Sequence, residues 1–320
     1  MRRIHACLLT VALLVPAFAW SAENRASANL PQTEGFVDTG SAIVYYKTIG
    51  RGRGLLLLHG GPGSTHDYFL PYVLPLARDQ QLVFIDERGS GKSQRLEDHK
   101  QYNLEAMAAD VEAVRVALGL GQIDLLGHSF GGILAQEVAT RYPTSIRRLV
   151  LASTGSSAAR VTEDFRNIKA ALDPKLRARI EALEAGGIIG PDGAQLQEYR
   201  QLADEALAPY SYFMRPPAWS ESGESLGWDV LNAMWGAKSD FHIDGNLKGF
   251  DFTPGLRKLR IPALVIYGDH DMVSDATARE SHEALAGSQL VEIPRSAHMT
   301  MVDQNAAFNE AVARFLAEGG

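Results

Sequence analysis

Cysteine is nearly missing from this chain. Of 320 residues only Cys7 carries a thiol, and it falls in what reads as a removable leader, so the mature protein is expected to hold no disulfide. His66, His99, His242, His270 and His282 read as surface or packing residues. None stands at ligand spacing from another histidine or a cysteine, which argues against a metal site. Positive charge is not in excess either. A formal net charge of −7 argues against a nucleic-acid partner. Acidic residues are spread rather than blocked, so no interaction tail is evident, and no repeat or long low-complexity tract interrupts the chain. No G-x-G-x-x-G fingerprint follows any strand-like run, and no cofactor is expected. Asp86-Glu87-Arg88-Gly89-Ser90-Gly91-Lys92-Ser93 ends like a phosphate loop, but a Walker motif needs glycine five residues before Gly91 and that position is Asp86. We expect Asp86 and Arg88 to pin this loop by a local ion pair.

What is present begins with a targeting segment. Met1-Arg2-Arg3 opens with positive charge, Ala6 to Phe18 is apolar, and Ala17-Phe18-Ala19 offers a small-x-small cleavage site. Residues 1–19 read as a signal peptide, with cleavage after Ala22 as the alternative, and 20–34 as a linker. The apolar stretch is short for a membrane span. Export to the periplasm or outside the cell is expected, without stable membrane insertion once the leader is removed; an uncleaved anchor is the other reading.

The most informative motif is Gly127-His128-Ser129-Phe130-Gly131. It lies between a short apolar run, Ile123 to Leu126, and a helix-like stretch from Phe130 to Tyr142. Such a serine sits on a sharp strand-to-helix turn with its hydroxyl projecting from the sheet edge. Two partners follow in order. The strand-like run Pro262 to Tyr267 leads into Gly268-Asp269-His270-Asp271, and Gln289 to Ile293 leads into Pro294-Arg295-Ser296-Ala297-His298. Ser129, Asp271 and His298 are thus candidate nucleophile, acid and base, each at the carboxyl end of a predicted strand. We favour Asp271 over Asp269, because the loop must extend before it turns toward the histidine.

Elsewhere the pattern alternates. Leu55 to Leu58 and Gln81 to Ile85 read as strands buried on both faces. Asn103 opens a helix with Leu104, Met107, Val111, Val114 and Leu118 on one face. Arg148 to Ala152 is another strand. The alternation predicts an α/β fold with a mostly parallel, doubly wound sheet, its core in residues 35–153 and 250–320. Between them, 154–249 reads as an inserted helical cap, with helices over Asp164–Leu183 and Gln195–Leu207, followed by Trp219, Trp228 and Trp235. Those rings either fill the cap's own core or wall a substrate pocket. The glycine-rich loop His59-Gly60-Gly61-Pro62-Gly63 ends the Leu55 strand. Gly61 and Phe130, the residue after the nucleophile, are the expected oxyanion-hole N–H donors, with His59 bracing the loop.

Together His59-Gly60-Gly61-Pro62-Gly63, Asp86-x-Arg88-Gly89-x-Gly91-x-Ser93, Gly127-x-Ser129-x-Gly131-Gly132, Gly268-x-x-Asp271 and Ser296-x-His298-Met299 resemble the proline iminopeptidase family of α/β-hydrolases, which includes prolyl aminopeptidases and the tricorn-interacting aminopeptidase. The similarity extends into the cap at Trp235-Gly236 and Phe241. It implies a metal-free serine exopeptidase that releases an N-terminal residue, often proline, from short peptides. It also implies acidic residues that bind the substrate's ammonium, with Asp240 at the cap position and Trp235 beside it. Glu221 or Glu224 are possible further ligands. After Asp271, where some relatives carry glutamate, this chain has Met272. An esterase, lactonase or amidase acting on uncharged acyl groups through the same triad is the alternative. A catalytically silent binding protein is the third reading.

Overall fold

The computed structural model describes residues 30–70, 72–186, 194–213 and 226–318. The leader, Trp219, Glu221 and Glu224 lie outside them. Eight strands form one sheet in the order β1-β2-β4-β3-β5-β6-β7-β8. β1 (Gln32–Asp38) and β2 (Ile43–Gly50) pair antiparallel, and β2 runs antiparallel to β4 (Gln80–Ile85). From β4 onward every pairing is parallel, through β3 (Arg53–Leu58), β5 (Ile123–His128), β6 (Ile146–Ala152), β7 (Ala263–Gly268) and β8 (Gln289–Ile293). β1 begins at Gln32, inside the stretch expected to be linker. It is an edge strand with mostly exposed residues, so it lacks the apolar run that marks a central strand.

The unbroken Leu55–Leu58 run follows from burial on both faces. Leu56 and Leu58 enter one core layer, Leu55 and Leu57 the other, and all four are fully buried. A side chain at each successive position points to the opposite face, so only a continuous apolar segment satisfies both layers. The helix Leu104–Ala117 covers one face through Met107, Val111 and Val114, and Asn103 caps it by accepting the Ala106 N–H at 2.9 Å.

Between β6 and β7 the chain leaves the sheet and forms the helices Ala158–Ala171, Pro174–Ala185, Ala194–Ser211 and Trp228–Met234. The single helix expected over Asp164–Leu183 is two. Asp173 accepts from the N–H groups of Lys175 and Leu176, and Pro174 occupies the first helical position, where its missing donor costs nothing. Among the described residues no helix is long and apolar enough to cross a membrane.

The loop after β4 is built differently from the expected Asp86–Arg88 pair. Arg88 is 1% exposed and donates to Asp110 from Nε at 2.6 Å and from Nη2 at 2.7 Å. Asp86 instead accepts from the N–H and Nδ1 of His66 and from the Lys92 N–H. The helix Leu104–Ala117 delivers Asp110 to Arg88, a match that local spacing around Asp86 could not reveal.

Candidate active site

Ser129 closes β5 and starts the helix Phe130–Arg141 with φ 56° and ψ −123°. Positive φ in a residue with a Cβ is strained, and its surroundings hold it there. The Ser129 N–H donates to Ala152 O at 3.0 Å, and its carbonyl accepts the Thr154 hydroxyl at 2.7 Å. The flanking glycines answer to contact. A Cβ on Gly131 would strike the Leu58 carbonyl oxygen, and one on Gly127 would strike the backbone of Gly131 and Gly132.

His298 follows β8 and shares a cavity of about 800 Å³ with Ser129. Its Nδ1 donates to Asp271 Oδ1 at 2.8 Å, and that carboxylate is fully buried. The bond places the proton on Nδ1 and leaves Nε2 as the basic nitrogen. Asp269 does another job: it accepts from the Ser296 N–H at 3.0 Å and pairs with His270 Nδ1 at 2.7 Å. The structure therefore brings Ser129, His298 and Asp271 to one end of the sheet and leaves Asp269 bracing the loop. The cap also grips this loop, since the N–H groups of His298 and Met299 donate to Tyr210 O and Ser211 O at 2.9 and 3.0 Å. Those carbonyls end a helix and have no partner within it.

Gly61 and Phe130 both line the cavity next to Ser129. Phe130 is the first residue of its helix, so its N–H has no intrahelical acceptor. His59 is fully buried below the loop, donating from Nδ1 to Gly60 O at 2.8 Å and pairing through its other nitrogen with Glu87.

Two residues that sequence reasoning passed over tie the site together. Tyr68 Oη accepts the Gly60 N–H at 2.6 Å and donates to His128 Nδ1 at 2.8 Å. His128 Nε2 donates to His298 O at 3.0 Å. The direction follows because a carbonyl can only accept, which leaves Nδ1 as the acceptor of a neutral ring. Burial, followed by the nearby His298 charge, pushes the His128 pKa down to about 3. The glycine loop, the Ser129 turn and the His298 loop are thus joined by one hydrogen-bonded chain. The signal for His128 was its place inside the serine pentapeptide; Tyr68 had none.

The cap residues Asp240, Trp235, Trp228, Arg200 and Asp204 line the same cavity, as does Met272 beside Asp271. Trp235 packs edge-on against Phe165 at 5.2 Å and also lines the cavity. Asp240 titrates at about 6; burial is the main cause and the Asp204 charge adds to it, while Arg200 opposes. Asp204, on the helix Ala194–Ser211, is the second cap carboxylate, and nothing in its sequence context distinguished it from other helix-surface acids. Among the described residues no group of three histidine, cysteine or acidic side chains is placed to hold a metal ion.

A family model described as the alpha/beta hydrolase fold matches residues 55–304. The chain is 27% identical over 297 residues to the proline iminopeptidase of Saccharolobus solfataricus, covering 88% of this chain and 92% of that one. It is 29% identical over 292 residues to the proline iminopeptidase of Heyndrickxia coagulans, covering 89% and 98%. The crystal structure of proline iminopeptidase from Mycobacterium smegmatis matches with a TM-score of 0.77 at 24% identity, covering 89% of this chain and 97% of that chain. That last likeness is one of fold.

Proposed function

Since the chain belongs to the alpha/beta hydrolase fold family, we propose that it is a serine aminopeptidase that removes an N-terminal residue, proline or another small apolar one, from short peptides. The observation that carries this reading is a pair of cap carboxylates, Asp204 and Asp240, lining the same cavity as Ser129 and His298. A substrate ammonium leaving water needs such a partner. Arg200 lines the same cavity and offsets part of their charge.

In this mechanism His298 Nε2 takes the Ser129 proton as Oγ attacks the scissile carbonyl carbon. Asp271 holds the imidazole and stabilises its cation. The oxyanion is received by the N–H groups of Gly61 and Phe130, each donor being worth about 3–4 kcal/mol in the transition state. His298 then passes its proton to the leaving nitrogen, the C–N bond breaks, and the shortened peptide departs. Water, deprotonated by His298, attacks the acyl ester and returns Ser129 to its starting state.

Met272 lines the cavity beside the acid and supports a second reading, an esterase or lactonase taking uncharged acyl groups. Asp240→Ala separates the two. Hydrolysis of prolyl and alanyl anilides should fall by about 100-fold, while short acyl esters keep their rates. Equal effects on both substrate classes would remove Asp240 from an amine site. Ser129→Ala, with turnover of both classes lowered by about 10³-fold or more, is the control that the same nucleophile serves them.

A further inference from the structure

The catalytic cavity does not end at the cap carboxylates. A second pocket of about 350 Å³ lies behind them, and the two share Arg200, Trp228, Leu231 and Asp240 as a common wall. Leu196 and Tyr199 also line this pocket, and the Tyr199 hydroxyl accepts the Asp240 N–H at 2.8 Å. His99 and Asp229, 4.0 Å apart and each about half exposed, form its rim.

The way Arg200 is held differs from the way Arg88 is held. Arg88 is locked by two bonds to one carboxylate. Arg200 has its guanidinium carbon 3.2 Å from the centroid of the Trp228 ring, and its Nε has no hydrogen-bond partner among the described residues. Among the described residues its hold is a ring face together with the diffuse attraction of Asp240 and Asp204. Such a side chain fills space and supplies charge without being fixed by a directional fork.

We propose that Arg200 is a specificity-determining residue that closes the acyl end of the catalytic cavity, and that the pocket behind it is a withheld subsite for the outer part of a long apolar or aromatic side chain. The placing of an ammonium at Asp240 rests on the aminopeptidase reading; the closure itself rests on the shared wall. With Arg200 in place, an acyl residue whose ammonium lies at Asp240 must be short, as proline or alanine is. A longer one has to push a cation off the tryptophan face and away from two carboxylates. Once the side chain is truncated, the walls offered by Leu196, Tyr199, Trp228 and Leu231 suit an apolar or aromatic group.

The test uses the full chain. Arg200→Ala and Arg200→Ser open the wall, and Arg200→Met refills it with an unbranched side chain. The kcat/KM values are compared for prolyl, alanyl, leucyl and phenylalanyl anilides and for acyl esters from acetyl to octanoyl. Both opening variants should raise the phenylalanyl-to-prolyl ratio by about tenfold or more, a change of the size that one or two methylenes of pocket space produce. The octanoyl-to-acetyl ratio should rise in parallel, and Arg200→Met should keep the discrimination of the parent. A shift on esters with no anilide activity in any variant would uphold the closure and defeat the aminopeptidase reading. Folded opening variants whose ratios stay where they were, or an Arg200→Met variant that shifts as far as Arg200→Ala, would overturn the proposal.

Discussion

Tyr68→Phe removes one oxygen and keeps the ring. That oxygen links the Gly60 N–H, at 2.6 Å, to His128 Nδ1, at 2.8 Å. Leaving a buried polar group without a partner costs about 1–3 kcal/mol. Two groups are orphaned here, but Tyr68 lines the open cavity and water can reach part of the gap. The lower end applies, a loss of about 2 kcal/mol in stability. The effect on catalysis is separate. The loop that carries Gly61 would keep its His59 brace but lose its tether to the nucleophile strand. A complete loss of one oxyanion donor would cost about 10²–10³-fold in kcat, so partial misplacement should cost about tenfold, or roughly 1.4 kcal/mol. On the proposed reading the ammonium is held by the cap carboxylates and not by this loop, so KM should stay within about twofold. Steady-state kinetics on prolyl anilide, with active sites counted by a fluorophosphonate, measures this directly. Wild-type kcat in a folded Tyr68→Phe protein, or a loss confined to KM, would refute the idea that this hydroxyl positions the oxyanion loop.

Two further outcomes are expected. Asp240 has a raised pKa of about 6, so it is charged above that pH and becomes neutral as pH falls through it. For aminoacyl anilides KM should therefore rise as pH drops from 7 to 5, while KM for acyl esters stays flat; parallel profiles would detach Asp240 from amine binding. Asp110→Ala strands the buried Arg88 guanidinium, and breaking such a pair from one side costs about 3–5 kcal/mol. Urea unfolding should show that loss, and a change below about 1 kcal/mol would mean that Ser41 and the Ala106 carbonyl suffice to hold Arg88.

Much of the site was legible because its constraints are local in sequence. Ser129 needs small neighbours on a strand-to-helix turn, and Gly127, Gly131 and Gly132 meet that need within five residues of it. The leucine run of β3 announced a strand buried on both faces for the same reason: adjacent positions face opposite core layers. Asp271 was separable from Asp269 by the length of loop needed to reach His298. Other partnerships were hidden because their members lie far apart in the chain. Arg88 finds Asp110 on a helix, not Asp86 two residues away. Asp204 and Arg200 carried no mark until the helix Ala194–Ser211 was laid over the cavity.

The amino-acid order alone determined the α/β class, the placing of Ser129, Asp271 and His298 after successive strands, and the glycine loop beside them, because short-range sterics and side-chain periodicity act within a few residues. Only the tertiary structure decided which charges meet. Coulomb attraction and hydrogen bonding depend on distance in space, and packing of the cap on the sheet set the distances for the Tyr68–His128–His298 chain, the Asp204 and Asp240 pair, and the Arg200 wall.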